Sequence, residues 1–332
     1  MKKYNIAVVG ASGVVGQKFL QILQERNLPV ENYYLFASAK SAGKQVQFMG
    51  KTHVIEELCQ ENITNKKIDI ALFSAGAKVS EQFAPIFAQH GTIVIDNSKQ
   101  WRMDKNVPLV VPECNAEDIK NHNGIIANPN CSTIQAVVPL KVLDDKYKIK
   151  RIIYTTFQAV SGAGIQGIND LIDGAQGVPP KKIPKPIYGN IVPQIDDFLE
   201  NGYTKEEEKM INETKKILHN ENLKITATTV RVPVLYGHSE SINIEFKTQP
   251  QLEEVKQLLR NTEGIVVMDD IKNGVYPTAL DSVDKDPVYV GRIRLDTSNE
   301  NAINIWVVAD NIRKGAATNA IQIAEYIINK EL

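Results

Sequence analysis

The chain has 332 residues, enough for two domains with sizeable cores, and its 43% hydrophobic and 23% charged residues are those of an ordinary globular protein. A formal net charge of −1, from 38 basic and 39 acidic residues, argues against a general affinity for nucleic acid or anionic membrane. Three cysteines, Cys59, Cys114 and Cys131, form no CxxC and no even set, which argues for a reducing compartment and against a disulfide framework.

Along the chain, Tyr4–Val9 reads as a buried strand, Val14–Arg26 as a helix and Tyr33–Ala37 as a second strand. Ile68–Phe73, Ser80–His90 and Ile93–Asp96 follow as strand, helix and strand, and Val110 and Ile125–Ala127 add more. This alternation predicts a parallel sheet covered by helices on both faces. From about residue 128 the texture changes. Arg151–Val160, Lys224–Arg231, Ser241–Phe246, Val288–Arg294 and Ile303–Ala309 read as longer strands with partial alternation. Helices are expected at Ser132–Asp145, Gly164–Ile172, Lys205–Leu218, Leu252–Arg260 and Ala316–Ile328. The second region is therefore an α+β domain on a mixed or antiparallel sheet. Val178–Pro186 is the one proline-rich stretch and reads as an exposed loop within that domain. The apolar run after Met1-Lys2-Lys3 stops at Gly10, too short for a signal-peptide core, and no stretch could span a bilayer, so the cytoplasm is the expected compartment.

Gly10-Ala11-Ser12-Gly13-Val14-Val15-Gly16 lies between the first strand and the first helix, where a pyrophosphate meets a helix N-terminus. The spacing is GxxGxxG rather than GxGxxG, and a ligand-free tight turn is the competing reading. The second strand ends without the Asp or Glu that holds a ribose 2′-hydroxyl in NAD sites. Ala37-Ser38-Ala39-Lys40-Ser41-Ala42-Gly43-Lys44 follows instead, so Lys40 and the hydroxyls suit the 2′-phosphate of NADP; solvated loop lysines are the alternative.

Cys131 sits in Asn128-Pro129-Asn130-Cys131-Ser132-Thr133, with a helix expected just after it. The positive end of a helix favours the reactive thiolate, whereas a free cysteine elsewhere is commonly a buried core residue; both readings are open on spacing alone. His238 follows Gly237 at the junction of two expected strands, a place where loops commonly carry function, and the other four histidines read as surface or core residues. With an ordinary pKa of about 6.5, His238 could exchange protons at neutral pH. Backbone N–H groups at the start of the helix after Cys131 could stabilise an oxyanion, each such donor being worth roughly 3–4 kcal/mol.

With these residues in hand the chain resembles the aspartate-β-semialdehyde dehydrogenase family over essentially its full length. The resemblance rests on GASGVVG at 10–16, SAKSAGK at 38–44, DNSKQWRMD at 96–104 and NPNCST at 128–133. It continues through FQAVSGAG at 157–164, EEEKMINET at 206–214, RVPVLYGHSE at 231–240 and DNIRKGAA at 310–317. It implies a Rossmann-type nucleotide domain over residues 1–128, a catalytic and dimerisation domain over 129–314, and a C-terminal helix in 315–332 that packs back on the first. By resemblance, Cys131 is the nucleophile, His238 the general acid/base, and Gln158 orients the thioester. Arg231 would hold the substrate α-carboxylate, Glu206 its amino group, and Arg102 and Lys209, with Asn130 nearby, the phosphate. Gly10, Ser12, Gly13, Val14, Val15, Ser38, Lys40, Ser41, Ser161, Gly162 and Asn311 would form the NADP site, and no metal is implied. The implied reaction is reversible: L-aspartyl-4-phosphate and NADPH give L-aspartate-4-semialdehyde, NADP and phosphate. It serves lysine (through diaminopimelate), threonine and methionine synthesis, and the family members are homodimers or tetramers.

Two departures stand out. Lys40 occupies a place where the family commonly has Arg, and Lys makes no bidentate contact. The Glu206-Glu207-Glu208 run leaves the amino-binding acid open by a turn position, Glu206 being favoured because it shares a helix face with Lys209. N-acetyl-γ-glutamyl-phosphate reductase is the nearest alternative, but it typically has Gly and Tyr where Asn130 and Ser132 flank the cysteine here. A non-catalytic NADP-binding protein on the same scaffold is the alternative from another class.

Overall fold

The computed structural model describes residues 2–332. The chain divides into two compact units, one ending at Pro129 and completed by Ala316–Leu332, the other Asn130–Gly315.

The first unit runs β1 (Tyr4–Val9), α1 (Val14–Arg26), β2 (Val30–Ala37), β3 (Gln45–Phe48), β4 (Lys51–Val54), β5 (Glu56–Glu57), α2 (Gln60–Thr64), β6 (Ile70–Phe73), α3 (Ala77–Gln89), β7 (Ile93–Asp96), α4 (Pro112–Asn115) and β8 (Ile125–Ala127). Six strands form an all-parallel sheet in the order β5-β2-β1-β6-β7-β8. Successive residues of a strand face opposite sides, so a run that is buried throughout must be covered twice. In β1, Ile6 and Val8 join a core with Phe19 and Leu23 of α1 and with Ile321, Ala324 and Ile328 of the last helix, Asn319–Lys330. On the opposite side Phe36, Phe73 and Phe87 meet edge to face, with ring centroids 5.2 and 6.1 Å apart.

The second unit runs α5 (Cys131–Tyr147), β9 (Ile149–Gln158), α6 (Gly164–Gly174), α7 (Lys205–Ile217), β10 (Lys224–Arg231), β11 (His238–Phe246), α8 (Leu252–Arg260), β12 (Ile265–Val267), α9 (Ala279–Ser282), β13 (Val288–Asp296) and β14 (Asn299–Ala309). Its sheet order is β10-β9-β11-β14-β13-β12, parallel at the two ends and antiparallel between. On β11 the buried set Ile242, Ile244 and Phe246 alternates with half-buried Ser241, Asn243 and Glu245, the pattern of a sheet packed by helices on one face. Among the described residues no helix is long and apolar enough to cross a membrane.

Three boundaries differ from the sequence expectation in ways that matter. β11 begins at His238, three residues before Ser241, so this histidine stands on a rigid strand and not in a junction loop. α5 begins at Cys131 itself. β9 ends at Gln158, two residues before Val160, which lies in a short 3-10 turn. The β3–β4 hairpin and the short β5 and β12 were not anticipated.

Gly16 packs α1 onto the turn after β1: a Cβ there would lie 2.1 Å from the Gly10 carbonyl oxygen. Gly16→Ala should destabilise the protein by about 1–3 kcal/mol, since backbone must move to admit the methyl. Thermal unfolding checks this, and an unchanged Tm would contradict the close approach.

Candidate active site

Pro129 precludes helix before it, and Asn130 (φ −61°, ψ 145°) turns the chain into α5 as its N-cap. The Asn130 carboxamide oxygen accepts from the backbone N–H of Ser132 (3.0 Å) and Thr133 (3.3 Å), leaving Cys131 as the first helical residue at the positive end of the helix. The same cap takes those two N–H groups, so they do not serve as the oxyanion donors expected from the sequence. Asn130 is locked further: its N–H donates to Glu213 (2.6 Å) and its Nδ2 to Glu206 (2.9 Å). Its part is thus to fix the thiol's position. Gly315 lies against Cys131, where a Cβ would come 3.0 Å from the cysteine Cβ.

His238 Nε2 lies 3.3 Å from Cys131 Sγ. Its other ring nitrogen, Nδ1, accepts the Ala159 backbone N–H at 3.0 Å. A nitrogen that accepts carries no proton, so the neutral ring holds its proton on Nε2, facing the sulfur. Complete burial, with the Arg231 charge adding to it and Glu206 opposing, lowers the His238 pKa to about 3. The sequence suggested a ring that exchanges protons near neutrality; its surroundings favour the neutral form, with the Nε2 proton facing the sulfur. Gly237 (φ +86°) enters the strand with its N–H on Asn311 Oδ1 (3.0 Å), and Asn311 Nδ2 donates to Ser161 Oγ (3.0 Å). Gly162 fits between the His238 ring and the guanidinium, because a Cβ there would lie 2.9 Å from Arg231 Nη1 and 3.2 Å from His238 Nε2.

Arg231 ends β10 and is 6% exposed, yet among the described residues its guanidinium makes a single hydrogen bond, Nη1 to the Ala159 carbonyl (2.7 Å). Burial pulls its pKa down, while the charges of Glu206 and Cys131 hold it up. A buried guanidinium with most of its fork unused is suited to a bidentate carboxylate ligand. Glu206 of α7 receives Asn130 Nδ2, Gln158 Nε2 (3.1 Å) and Lys209 Nζ (2.9 Å). Burial alone would raise its pKa, but the Lys209 charge and these donors outweigh it and bring it to about 2. Glu207 is engaged elsewhere, closing a capping box with Thr204 and accepting Thr229 N–H (2.9 Å), and Glu208 bonds Asn201 and Asn212. Of the three acids, only Glu206 joins Asn130, Gln158 and Lys209. Lys209 also bonds Asp196 (2.9 Å), so it sits between two carboxylates.

In the first unit a cavity of about 450 Å³ opens at the carboxyl ends of β1, β2 and β6, lined by Gly10, Ser12, Gly13, Ser38, Val79 and Phe83. Gly10 (φ +87°) needs its missing side chain, since a Cβ would meet the Ser74 carbonyl oxygen at 2.3 Å. Gly13 caps α1 with no side-chain hydrogen bond, and the first turn, which holds Val14 and Val15, has no acid, leaving its N–H groups suited to a phosphate. Ser12 Oγ bonds Ser41 Oγ (3.2 Å), tying the glycine turn to the loop that carries exposed Lys40. These residues fit a dinucleotide. Arg102 in the same unit is buried, donating to the carbonyls of Asn128 (3.0 Å) and Asn97 (2.7 Å).

Sequence reasoning missed Glu213, Asp196, Gly315 and the backbone of Ala159. Glu213 carried a signal, since it repeats the Glu206 face of α7 at helical spacing; the others meet the site only through tertiary folding. It also passed over Glu240, two residues along β11 from His238 and so on the same face, paired in register with Thr156 and Val307. Glu240 is wholly buried and neither carboxylate oxygen has a hydrogen-bond partner. Burial pushes its pKa well up.

A parallel-sheet nucleotide unit joined to a unit bearing a thiol, an imidazole and a buried guanidinium is the plan of an oxidoreductase that works through a covalent bond to cysteine. The semialdehyde dehydrogenase NAD-binding domain family matches residues 5–122, and the semialdehyde dehydrogenase dimerisation domain family matches residues 140–314. An aspartate-semialdehyde dehydrogenase of Aquifex aeolicus is 52% identical over 338 residues, covering 99% of each chain. The crystal structure of aspartate-semialdehyde dehydrogenase II complexed with ASA from Vibrio cholerae matches with a TM-score of 0.96 at 44% identity, over 100% of each chain. The Candida albicans enzyme, in a structure with NADP, matches with a TM-score of 0.77 at 29% identity over 99% of each chain. The chain belongs to the aspartate-semialdehyde dehydrogenase family. It is an oxidoreductase with a nicotinamide dinucleotide cofactor.

The buried Glu240 generates a stability prediction. An acid whose pKa is raised by folding binds more protons folded than unfolded, so it costs stability increasingly as pH climbs above the ordinary glutamate pKa of about 4.3. Glu240→Gln removes that cost, and its Tm should gain on wild type as pH rises above the ordinary glutamate pKa, by about 2–4 °C per pH unit over the first unit or so. Tm–pH curves that stay parallel would show Glu240 to be ionised in the native protein.

Proposed function

We propose that the chain catalyses the reversible reductive dephosphorylation of L-aspartyl-4-phosphate to L-aspartate-4-semialdehyde through a thioester on Cys131. The observation that carries this reading is the Cys131 Sγ to His238 Nε2 distance of 3.3 Å at a helix N-terminus, beside a buried and largely unsatisfied Arg231. NADPH is the cofactor we propose; Lys40, Ser38 and Ser41 suit its 2′-phosphate, and the Candida relative's NADP supports the choice. When bound it supplies the hydride that reduces the thioester.

The residues divide the work as follows. The thiolate of Cys131 attacks the acyl carbon and phosphate leaves, which splits one difficult step into two. The proton on His238 Nε2 stabilises first the thiolate and then the oxyanion of each tetrahedral species. The thioester needs no proton to form, and loss of the thiolate from the reduced oxyanion gives the aldehyde directly. A neutral imidazole donor is therefore sufficient. Arg231 binds the α-carboxylate and Glu206 the α-ammonium, with Gln158 held at its side chain. Arg102 and Lys209 are the proposed phosphate ligands, and Ser161, Gly162 and Asn311 the remaining cofactor residues. An ionised buried Glu206 suits a free ammonium, which an N-acetylated substrate lacks; this favours the aspartyl substrate. The reading sits in lysine, threonine and methionine biosynthesis in the cytoplasm. A homodimer is the proposed assembly, supported by the match to the dimerisation family and by exposed Ile271, Tyr276 and Leu280 in the second unit.

Purified protein given L-aspartate-4-semialdehyde, NADP and phosphate should produce NADPH in a phosphate-dependent way, read by absorbance. Cys131→Ala should abolish this turnover while NADP binding persists, and substantial residual activity would remove the thioester route. Arg231→Lys keeps charge but loses the fork, so the semialdehyde KM should rise by roughly tenfold or more. Wild-type kinetics would put the carboxylate clamp elsewhere.

A further inference from the structure

The proline-rich segment is an exposed loop, as expected from the sequence, but it is anchored. Asp170 of α6 is 6% exposed, and its carboxylate accepts the backbone N–H groups of Lys181 (2.8 Å), Lys182 (2.8 Å) and Ile183 (2.7 Å). Burial works against its charge, but the three donors prevail and hold its pKa below the usual carboxylate range. Below them Ile183, Ile187 and Val192 are buried against Val160 and Ile168. Val192 then pairs with Arg231 through two backbone bonds of 2.9 and 2.8 Å, N–H to carbonyl in each direction. The segment is thereby fixed to the very residue that carries the guanidinium.

Between them lies a polar cavity of about 220 Å³, whose charged and amide lining is Lys182, Gln194, Asp196, Asp197 and Arg231. The charges do not cancel evenly. Asp196 is bonded to Lys209 and Asp197 to Lys205 (2.5 Å). Lys182 makes no side-chain hydrogen bond or ion pair among the described residues, and Arg231 makes only its bond to the Ala159 carbonyl. Asp197 has Lys205, and Asp196 shares Lys209 with Glu206, so four cations stand against three acids, and among the described residues Lys182 and Arg231 are the two with no carboxylate bonded to them. A cavity of that balance selects an anion.

We propose that Lys182 is a second cation of the carboxylate subsite and, with Arg231, determines specificity for an amino-acid aldehyde over a simple aldehyde. Asp170 is the positioning residue that holds Lys182 there through the backbone. This rests on the aspartyl reading above. Lys182 is exposed, so its contribution is that of a screened charge, modest and salt-dependent.

The test is steady-state kinetics of the full-length enzyme with L-aspartate-4-semialdehyde, NADP and phosphate. Lys182→Ala should raise the semialdehyde KM roughly fivefold at low salt, leaving kcat and the NADP KM near wild type. Lys182→Arg should recover most of the loss, and the gap between Ala and wild type should narrow as salt is added. An unchanged KM in Lys182→Ala, with wild type active, overturns the inference alone. So does a raised KM that Arg does not restore or salt does not narrow, since charge is then not what matters. Wild-type enzyme that is silent with this aldehyde overturns the aspartyl reading and this inference together.

Discussion

The interaction on which the site depends is the Ala159 backbone N–H donated to His238 Nδ1. It ties the imidazole to the backbone just past the end of β9, the strand beside β11, and it decides which nitrogen of the neutral ring carries the proton. With Nδ1 occupied as an acceptor, the neutral ring carries its proton on Nε2, which faces the sulfur. The thiolate's stabilisation then comes from two aligned sources, this N–H and the positive end of α5. Both are positioned by backbone, which is why the arrangement needs so few side chains to maintain it. Asn130 adds the remaining constraint, because one carboxamide caps the helix and grips Glu206 at once.

Around this pair the buried charges are handled in two ways. Glu206 is saturated by Asn130, Gln158 and Lys209 and stays ionised in full burial. Arg231 is buried beside it with one bond, and its unsatisfied donors are the feature that calls for an anionic ligand. Glu240, on the same strand face as His238, has no hydrogen-bond partner among the described residues, and burial pushes its pKa well up. The two buried carboxylates are thus shifted in opposite directions because their charge and hydrogen-bond partners differ. The stored cost of Arg231 and Glu240 fits a site that trades stability for function.

Much of this was legible in the residues. The GASGVVG turn between strand and helix marked the turn that lines the first unit's cavity, because only glycine fits at Gly10 and Gly16, and NPNC marked the cysteine that begins α5. The register of His238 was not legible. The alternation that marks β11, Ile242, Ile244 and Phe246 inward, continues through Glu240 and His238, but polar residues at those inward positions hid the first part of the strand. The β3–β4 hairpin was hidden by a different cause: its turn puts Met49 at φ +52°, a conformation that sequence signals associate with Gly, Asn or Asp. The depressed pKa of His238 was out of reach too, since it arises from burial and from Arg231, contributed by another strand. Asp170 and Asp196 act across long stretches of chain and leave no local mark.

The direct test of this account is the protonation state of His238, read from the ring nitrogens of histidine-labelled protein by NMR, with a His238→Asn variant identifying its signals among the five histidines. The account predicts a neutral ring, protonated at Nε2, that does not change between pH 5 and pH 8, far above its pKa of about 3. A ring that titrates within that range, or one that carries its proton on Nδ1, would contradict it and return His238 to the role of a base.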